Sequence, residues 1–421
     1  MKSSQKLNTP VNRTILVAAL GYFVDIYDLQ LFNIIGKPSI MSEAGLGIKD
    51  PALVTALFDD NLFYWQMAGM LFGGLLWGVW GDLKGRKSIL FGSILLYSLA
   101  NIANAFVTTI PQYQFVRFVA GLGLAGELGA AITLVSEIMT KENRGWGTAL
   151  IVTLGALGAV VAAIIANLNI AFWGLEAWQT AYILGGMLGL TLLFLRFGTF
   201  ESGMFEEAQK QKIKKGDFLM LLTNRKRFIR YLHCIAIGLP VWYVIGVLIK
   251  LAPRFSEQIG ITDGKIGIAN TIMMAYIGLS LGDLVSGWLS QVLKSRKKVI
   301  FIYLISNVIL VTIYLNIHNL TTSQFYALAL LLGMATGYWA LFVTIAAEQF
   351  GTNIRATATT TIPNFVRGAV IPISKAFFLL LGFTSSITSS AVVLGVICIG
   401  LAAYSTYAIE ETFGKNLDYL E

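Results

Sequence analysis

Of the 421 residues, 56% are hydrophobic and only 13% charged, and the mean hydropathy is +0.70. Those values exclude a soluble globular domain and make the chain an integral membrane protein. Its net charge of +8 has no soluble domain to sit on, so it reads as a product of membrane topology, and no nucleic-acid partner is expected.

A spanning helix needs about 20 apolar residues at 1.5 Å rise each. Twelve segments qualify, at 15–36, 60–80, 88–107, 112–137, 147–168, 178–197, 229–250, 266–291, 298–317, 322–347, 356–381 and 386–407. The first carries FVDIYDLQLF, with Asp25 and Asp28 at its centre and no small-residue cleavage pattern behind it, so it is expected to stay in the mature chain. Between the second and third spans, residues 78–87 read GVWGDLKGRK. The fourth contains RFVAGLGLAGELGAAITLVSE, with Arg117 and Glu127 ten residues apart. The fifth lacks a G-P-x-x-G element, and Pro240 interrupts the seventh just before Trp242 and Tyr243. The eleventh holds Arg367 and Lys375, with Pro363 and Pro372 on either side of Arg367.

Two features divide the chain in half. The longest polar connection, about 198–228, leaves six spans on each side. Glu137 and Arg144 form an E-x6-R element that recurs as Glu348 and Arg355, an offset of 211 residues, and KGRK at 84–87 is echoed by KSRK at 294–297. The expected domains are therefore a six-helix bundle at 1–197, a linker at 198–228 and a second six-helix bundle at 229–421. Such paired repeats place a substrate site at their interface, near the bilayer midplane. Lys and Arg set the orientation, with 23 of 31 on the side that carries both termini and five on the other, so both termini are expected in the cytoplasm.

These motifs resemble a known family. GVWGDLKGRK is similar to the loop 2–3 signature of the major facilitator superfamily, departing from it only at Leu83. Arg117 to Glu127, together with Asp25-Ile-Tyr-Asp28, resembles the metabolite:proton symporters of that superfamily and its phosphate and aromatic-acid symporters. The resemblance implies an all-α membrane protein with twelve transmembrane helices in two pseudo-symmetric bundles. It implies a secondary transporter in the inner membrane of a bacterium, a monomer that takes up a small polar, carboxylate-bearing metabolite with protons, with an organic-anion exporter or exchanger, or uptake of a polycarboxylate siderophore, as the alternatives. By resemblance, Gly78, Asp82, Gly85, Arg86 and Glu137 latch the cytoplasmic side, and Arg144, Glu348 and Arg355 extend the latch. Gln291 stands where the second copy would carry the acid matching Asp82, which implies a weaker second latch.

Ionisable side chains at membrane depth are costly and tend to mark a polar cavity or to meet each other. Helix rise puts Asp25 and Glu127 at about the same depth, roughly 15 Å from the cytoplasmic end, with Asp28 one turn further, towards Arg117. Two carboxylates at one depth repel, so one of them holds a proton; Glu127 with Asp25 or Asp28 is the expected proton site, unless these are architectural ion pairs. Arg367 and Lys375 fall within about 80° of each other on a helix and form a basic stripe for an anionic, carboxylate-bearing substrate. Tyr27, Trp65, Gln66, Tyr243, Tyr338 and Trp339 are candidate cavity-lining groups. Cys234 and Cys398 form no metal spacing, and no P-loop or nucleophile triad appears, so neither a cofactor, a metal nor enzymatic catalysis is expected.

Overall fold

A computed structural model describes residues 13–140, 143–196 and 216–421. Twelve long helices follow one another through the described residues, numbered here in chain order. The first half holds α1 (Arg13–Met41), α2 (Phe63–Lys84), α3 (Arg86–Asn104), α4 (Ile110–Leu124 and Glu127–Ile138), α5 (Arg144–Leu168) and α6 (Ala177–Leu195). The second holds α7 (Arg225–Tyr243), α8 (Ile268–Val292), α9 (Arg296–Asn316), α10 (Thr322–Thr336 and Trp339–Gln349), α11 (Arg355–Gly368 and Val370–Thr384) and α12 (Ile387–Ala408). The expected boundary at 197 and most of the expected linker lie outside the described residues; the linker's end contains a short helix, Leu219–Thr223. Ten spans are both long and apolar enough to cross a membrane. The other two, α2 and α3, have 22 and 19 residues, which also suffices.

The helix starts are written in the sequence. Thr109, Asn224, Ser295, Thr321 and Ser386 each cap a helix by accepting backbone N–H groups of its first turn. Two spans expected to be continuous are interrupted, α4 at Ala125–Gly126 and α10 at Gly337–Tyr338, while α11 passes Ala369 in helical backbone. Gly126 and Gly337 are 211 residues apart (337 − 126), the offset of the E-x6-R elements, so the two halves repeat the break as well as the motif. The carbonyl freed at Ala125 accepts from Asn364 Nδ2 at 2.8 Å, a side chain of the other half. Backbone groups inside a membrane find protein partners in this way because no water is there to take their place.

The halves meet along two helix pairs, α2 against α11 and α5 against α8. Across the second pair, Ser280 Oγ donates to the Thr153 carbonyl and Thr153 Oγ1 to the Ser280 carbonyl, at 2.8 and 3.3 Å. The outer helices α3, α6, α9 and α12 expose Leu99, Phe194, Ile305 and Val396, an apolar surface for lipid. Polar residues are turned inward.

Small residues set the helix separation. At Gly158 of α5 a Cβ would run into the Phe23 carbonyl and come 2.8 Å from the Tyr27 nitrogen of α1. Gly158→Val is expected to force α1 and α5 apart at a cost of about 1–3 kcal/mol, lowering the thermal unfolding midpoint in detergent. Gly400→Val, where nothing lies within 4 Å, leaves that midpoint unchanged.

Candidate functional site

Residues 21, 25 and 28 lie on one stripe of α1, since they are spaced four and three apart. Each faces a different buried arginine. At Asp28 it is Arg117 of α4, 3.9 Å away, whose other donors go to Asn104 Oδ1 (3.0 Å) and Asn101 Oδ1 (3.3 Å). The Arg117 guanidinium lies between the rings of Phe32 and Tyr182, 5.0 and 5.2 Å from their centroids. At Asp25 it is Arg367 of α11, 3.4 Å away and also bonded to Tyr22 Oη at 3.3 Å. Beside Gly21 lies the pair Glu127–Arg196, at 2.6 Å, in which Glu127 accepts a further bond from Ser93 Oγ at 2.7 Å. A Cβ at Gly21 would collide with that arginine.

Of these three pairs, Asp25–Arg367 alone joins one half to the other. It lies beside a cavity walled by Tyr22, Trp242, Tyr276, Trp339 and Ile245, which leaves about 20 Å³ for the centre of a water molecule, enough for roughly one. Nearby, Gln30 Nε2 donates across the halves to Tyr276 Oη at 2.7 Å. The Trp339 indole N–H and Asp25 Oδ1 are buried without hydrogen-bond partners, so polar capacity remains at the cavity wall.

Two clasps close the end that carries residues 82–87 and 409–421. Glu137 holds Arg86 of its own half at 2.8 Å and Arg355 of the other half at 3.0 Å. Glu348 repeats the arrangement, with Arg296 of its own half at 3.2 Å and Arg144 of the other at 3.7 Å. Asp82 caps α11, accepting from the Ala356 and Thr357 nitrogens at 3.1 and 2.8 Å, where its charge suits the positive end of the helix. A Cβ on Gly78 would come 2.9 Å from the Thr357 backbone, and Gly85 makes the turn at φ +98°. Gln291 sits beside Gly145 at the start of α5, the matching place in the second clasp, and a neutral amide does not supply that charge.

The opposite end is closed by a contact the sequence reading did not foresee. Asp59, in the π-helical turn before α2, pairs with Lys250, which ends the π-helical turn Val244–Ile249 after α7 (3.0 Å), and with Lys37 of α1 (3.2 Å). The Lys250 ammonium also sits 3.7 Å from the centre of the Phe63 ring. Burial pushes the Asp59 carboxyl up, but Lys250 and then Lys37 outweigh it and leave it below the ordinary aspartate value.

The family model of the Major Facilitator Superfamily matches residues 18–374. The chain belongs to the Major Facilitator Superfamily. It is therefore a multi-pass membrane transport protein of the secondary type, not an enzyme. It is 26% identical over 361 residues to a candidate niacin/nicotinamide transporter of Bacillus subtilis, covering 83% of this chain and 84% of that one. It is also 26% identical over 349 residues to the 3-(3-hydroxy-phenyl)propionate transporter of Escherichia coli, covering 82% and 83%. Its fold is similar to that of the proton:xylose symporter XylE, with a TM-score of 0.72 at 16% identity over 96% of this chain and 97% of that one.

Within this superfamily fold, several expected site residues stand elsewhere than their spacing suggested. Glu127 does not pair with a first-span aspartate, because Arg196 takes both of its oxygens. The helix runs on through Ala369 in αR backbone, but Arg367 is buried while Lys375, eight residues on, is exposed and 5.2 Å from the Tyr64 ring, so the two do not form one basic stripe in the site. Tyr27, Tyr243 and Tyr338 donate to the carbonyls of Ala181, Ala391 and Ile237, each within its own half, so they pack rather than line the cavity. Trp65 is exposed to lipid, and Gln66 is buried between α2 and α4. Trp339 alone of these aromatics lines the cavity. Arg196 is not among the expected site residues; its signal in the sequence is its place at the end of LLFLRFG, an apolar run with no other charge.

Two outcomes follow from the closed ends. Removing one partner from a buried charge cluster costs about 3–5 kcal/mol, so Asp82→Asn is expected to raise by 100-fold or more the thiol-labelling rate of a cysteine placed at buried Thr360; an unchanged rate contradicts the clasp. A depressed carboxyl keeps its pair intact above its unfolded value and loses it only as the pH falls through the folded one. The Asp59–Lys250 contact therefore stays closed between about pH 7 and 5, and labelling of a cysteine at Phe63, taken relative to a fully exposed reference thiol at each pH, is flat over that range but rises in Asp59→Asn.

Proposed function

We propose that the chain imports a small carboxylate-bearing metabolite, a planar aromatic acid, together with protons, by alternating access across a bacterial inner membrane with both termini in the cytoplasm. The observation that carries this reading is the Asp25–Arg367 pair, the mid-depth ion pair between the halves, set among aromatic rings. With Asp25 ionised, Arg367 already has its anion and the halves are held together. A proton on Asp25 takes that charge away, and Arg367 then offers a fork of N–H donors to a substrate carboxylate. Tyr22, Trp242, Tyr276 and Trp339 supply flat faces for a ring. The names of the two relatives, a niacin/nicotinamide and a hydroxyphenylpropionate transporter, point to ring-bearing carboxylates of this kind.

Asp28–Arg117 and Glu127–Arg196 remain inside the first half, and we assign them to holding α1 against α3, α4 and α6, with Asp25 as the proton site. Glu137, Glu348, Asp82 and their arginines act as the cytoplasmic gate, and Asp59–Lys250 as the periplasmic one. Both gates and the cavity come from one chain, so a monomer suffices. The cavity as it stands is too small for an aromatic acid, so loading requires the halves to part at one end.

The test is uptake of a labelled panel (nicotinate, hydroxylated phenylpropanoates, an aliphatic dicarboxylate and phosphate) into proteoliposomes with and without an inward proton gradient. The gradient is expected to drive accumulation of the aromatic monocarboxylates. Arg367→Ala, which removes a buried charge-assisted contact worth about 3 kcal/mol, lowers their uptake about 100-fold. Uptake indifferent to the gradient, or unchanged in Arg367→Ala, contradicts the reading.

A further inference from the structure

A groove of about 650 Å³ opens between the start of α7 and the end of α12, beneath the clasp formed by Glu348 and Arg296. Lys226, Arg227, Arg230 and His233 line one side of it. Its occupant is the carboxylate of Glu421, 2.5 Å from Arg230 Nη2 and 4.0 Å from Arg227 Nε. One carboxylate does not use up these donors: Arg227 Nη1 and Arg230 Nε are buried without hydrogen-bond partners. A phosphodiester carries the same single negative charge, but its two non-bridging and two ester oxygens spread acceptors tetrahedrally rather than in one plane, which lets it engage more of them. Glu410 also lines the groove, but its carboxylate turns towards Lys415, 3.9 Å away.

The groove lies at headgroup height. Phe228, Ile229 and Leu232 of α7 and Tyr404 and Tyr407 of α12 are exposed around it, an apolar path for acyl chains that ends in two interfacial tyrosines. Basic residues at the start of a span face the negatively charged cytoplasmic leaflet. A second feature ties the groove to the clasp. The segment 409–421 runs from the groove across the loop before α11: the Thr352 nitrogen donates to the Tyr419 carbonyl at 2.9 Å, Arg355 to the Leu417 carbonyl, and the Glu421 nitrogen to Asn353 Oδ1 at 2.9 Å. Arg355 is the same side chain that reaches Glu137 in the other half.

We propose that this groove binds the phosphate headgroup of an anionic phospholipid, and that the lipid does so by displacing Glu421, which loosens the segment 417–421 from the clasp. The membrane's charge thereby sets how firmly the cytoplasmic end closes. The site is separate from the central cavity and does not depend on what is transported.

The test is native mass spectrometry of the full chain with added phosphatidylglycerol or phosphatidylcholine. Wild type is expected to retain one phosphatidylglycerol in preference. At about fivefold in binding per surface basic residue, Arg227→Gln with Arg230→Gln lowers retention roughly 25-fold, while Glu421→Gln, which removes the competing carboxylate without disturbing the arginines, raises it. Equal retention of the two lipids by wild type, or a preference that survives the double substitution in protein with an unchanged melting midpoint, overturns the site. A cysteine at Tyr419 is expected to label faster in phosphatidylglycerol than in phosphatidylcholine nanodiscs, and equal rates overturn the link to the clasp.

Discussion

An ionisable group in the hydrocarbon layer is costly unless it meets a counter-charge or a backbone dipole, and the interior of this transporter is arranged around that constraint, with Asp283 accepting from the Ala340 nitrogen at 2.8 Å and three other acids facing arginines. Asp25, Asp28 and Glu127 each have an arginine, supplied by α11, α4 and α6 respectively. Two of the pairs stay within the first half and travel with it. The third crosses between halves, so its charges separate whenever the halves do. On the proposed reading, that cost is what a proton and a substrate carboxylate would offset together, by neutralising one partner and replacing it for the other. Neither alone satisfies both groups, which is a physical basis for coupling.

The same logic recurs at the ends. Glu137 and Glu348 each hold one arginine of their own half and one of the other, and the fourfold set follows from the 211-residue repeat. Symmetry is broken at the helix caps, where Asp82 carries a charge and Gln291 does not. The opposite end has fewer cross-half contacts among the described residues: Asp59 pairs with Lys250, and Asn167 Nδ2 donates to Asn270 Oδ1 at 2.8 Å. Closing one end with many buried contacts and the other with few favours opening at the second.

Much of this was legible in the sequence. Hydropathy located the spans, the repeated E-x6-R elements divided the chain, and GVWGDLKGRK led to Arg86–Glu137, because those features depend on local pattern and exact spacing. The pairing at the centre did not follow from depth alone. Rise per residue places Glu127 near Asp25, but it does not say which face each presents, and Arg196 at the end of α6 reached Glu127 first. Lys375 shares a helical stripe with Arg367 by period, but it lies two turns further along, where the side chain is exposed rather than in the site. The tyrosines were misplaced for a different reason: a phenol buried in a membrane must donate somewhere, and three of them found carbonyls in their own bundle.

The exchange of Asp25 for a substrate carboxylate on Arg367 is tested most directly by equilibrium binding of a transported acid to the purified protein as a function of pH. In wild type, affinity is expected to fall as the pH rises, because ionised Asp25 reclaims the arginine. In Asp25→Asn, binding is expected to be tight and independent of pH over the same range. If Asp25→Asn keeps the wild-type pH dependence, Asp25 is not the competitor for Arg367, and coupling lies with another group.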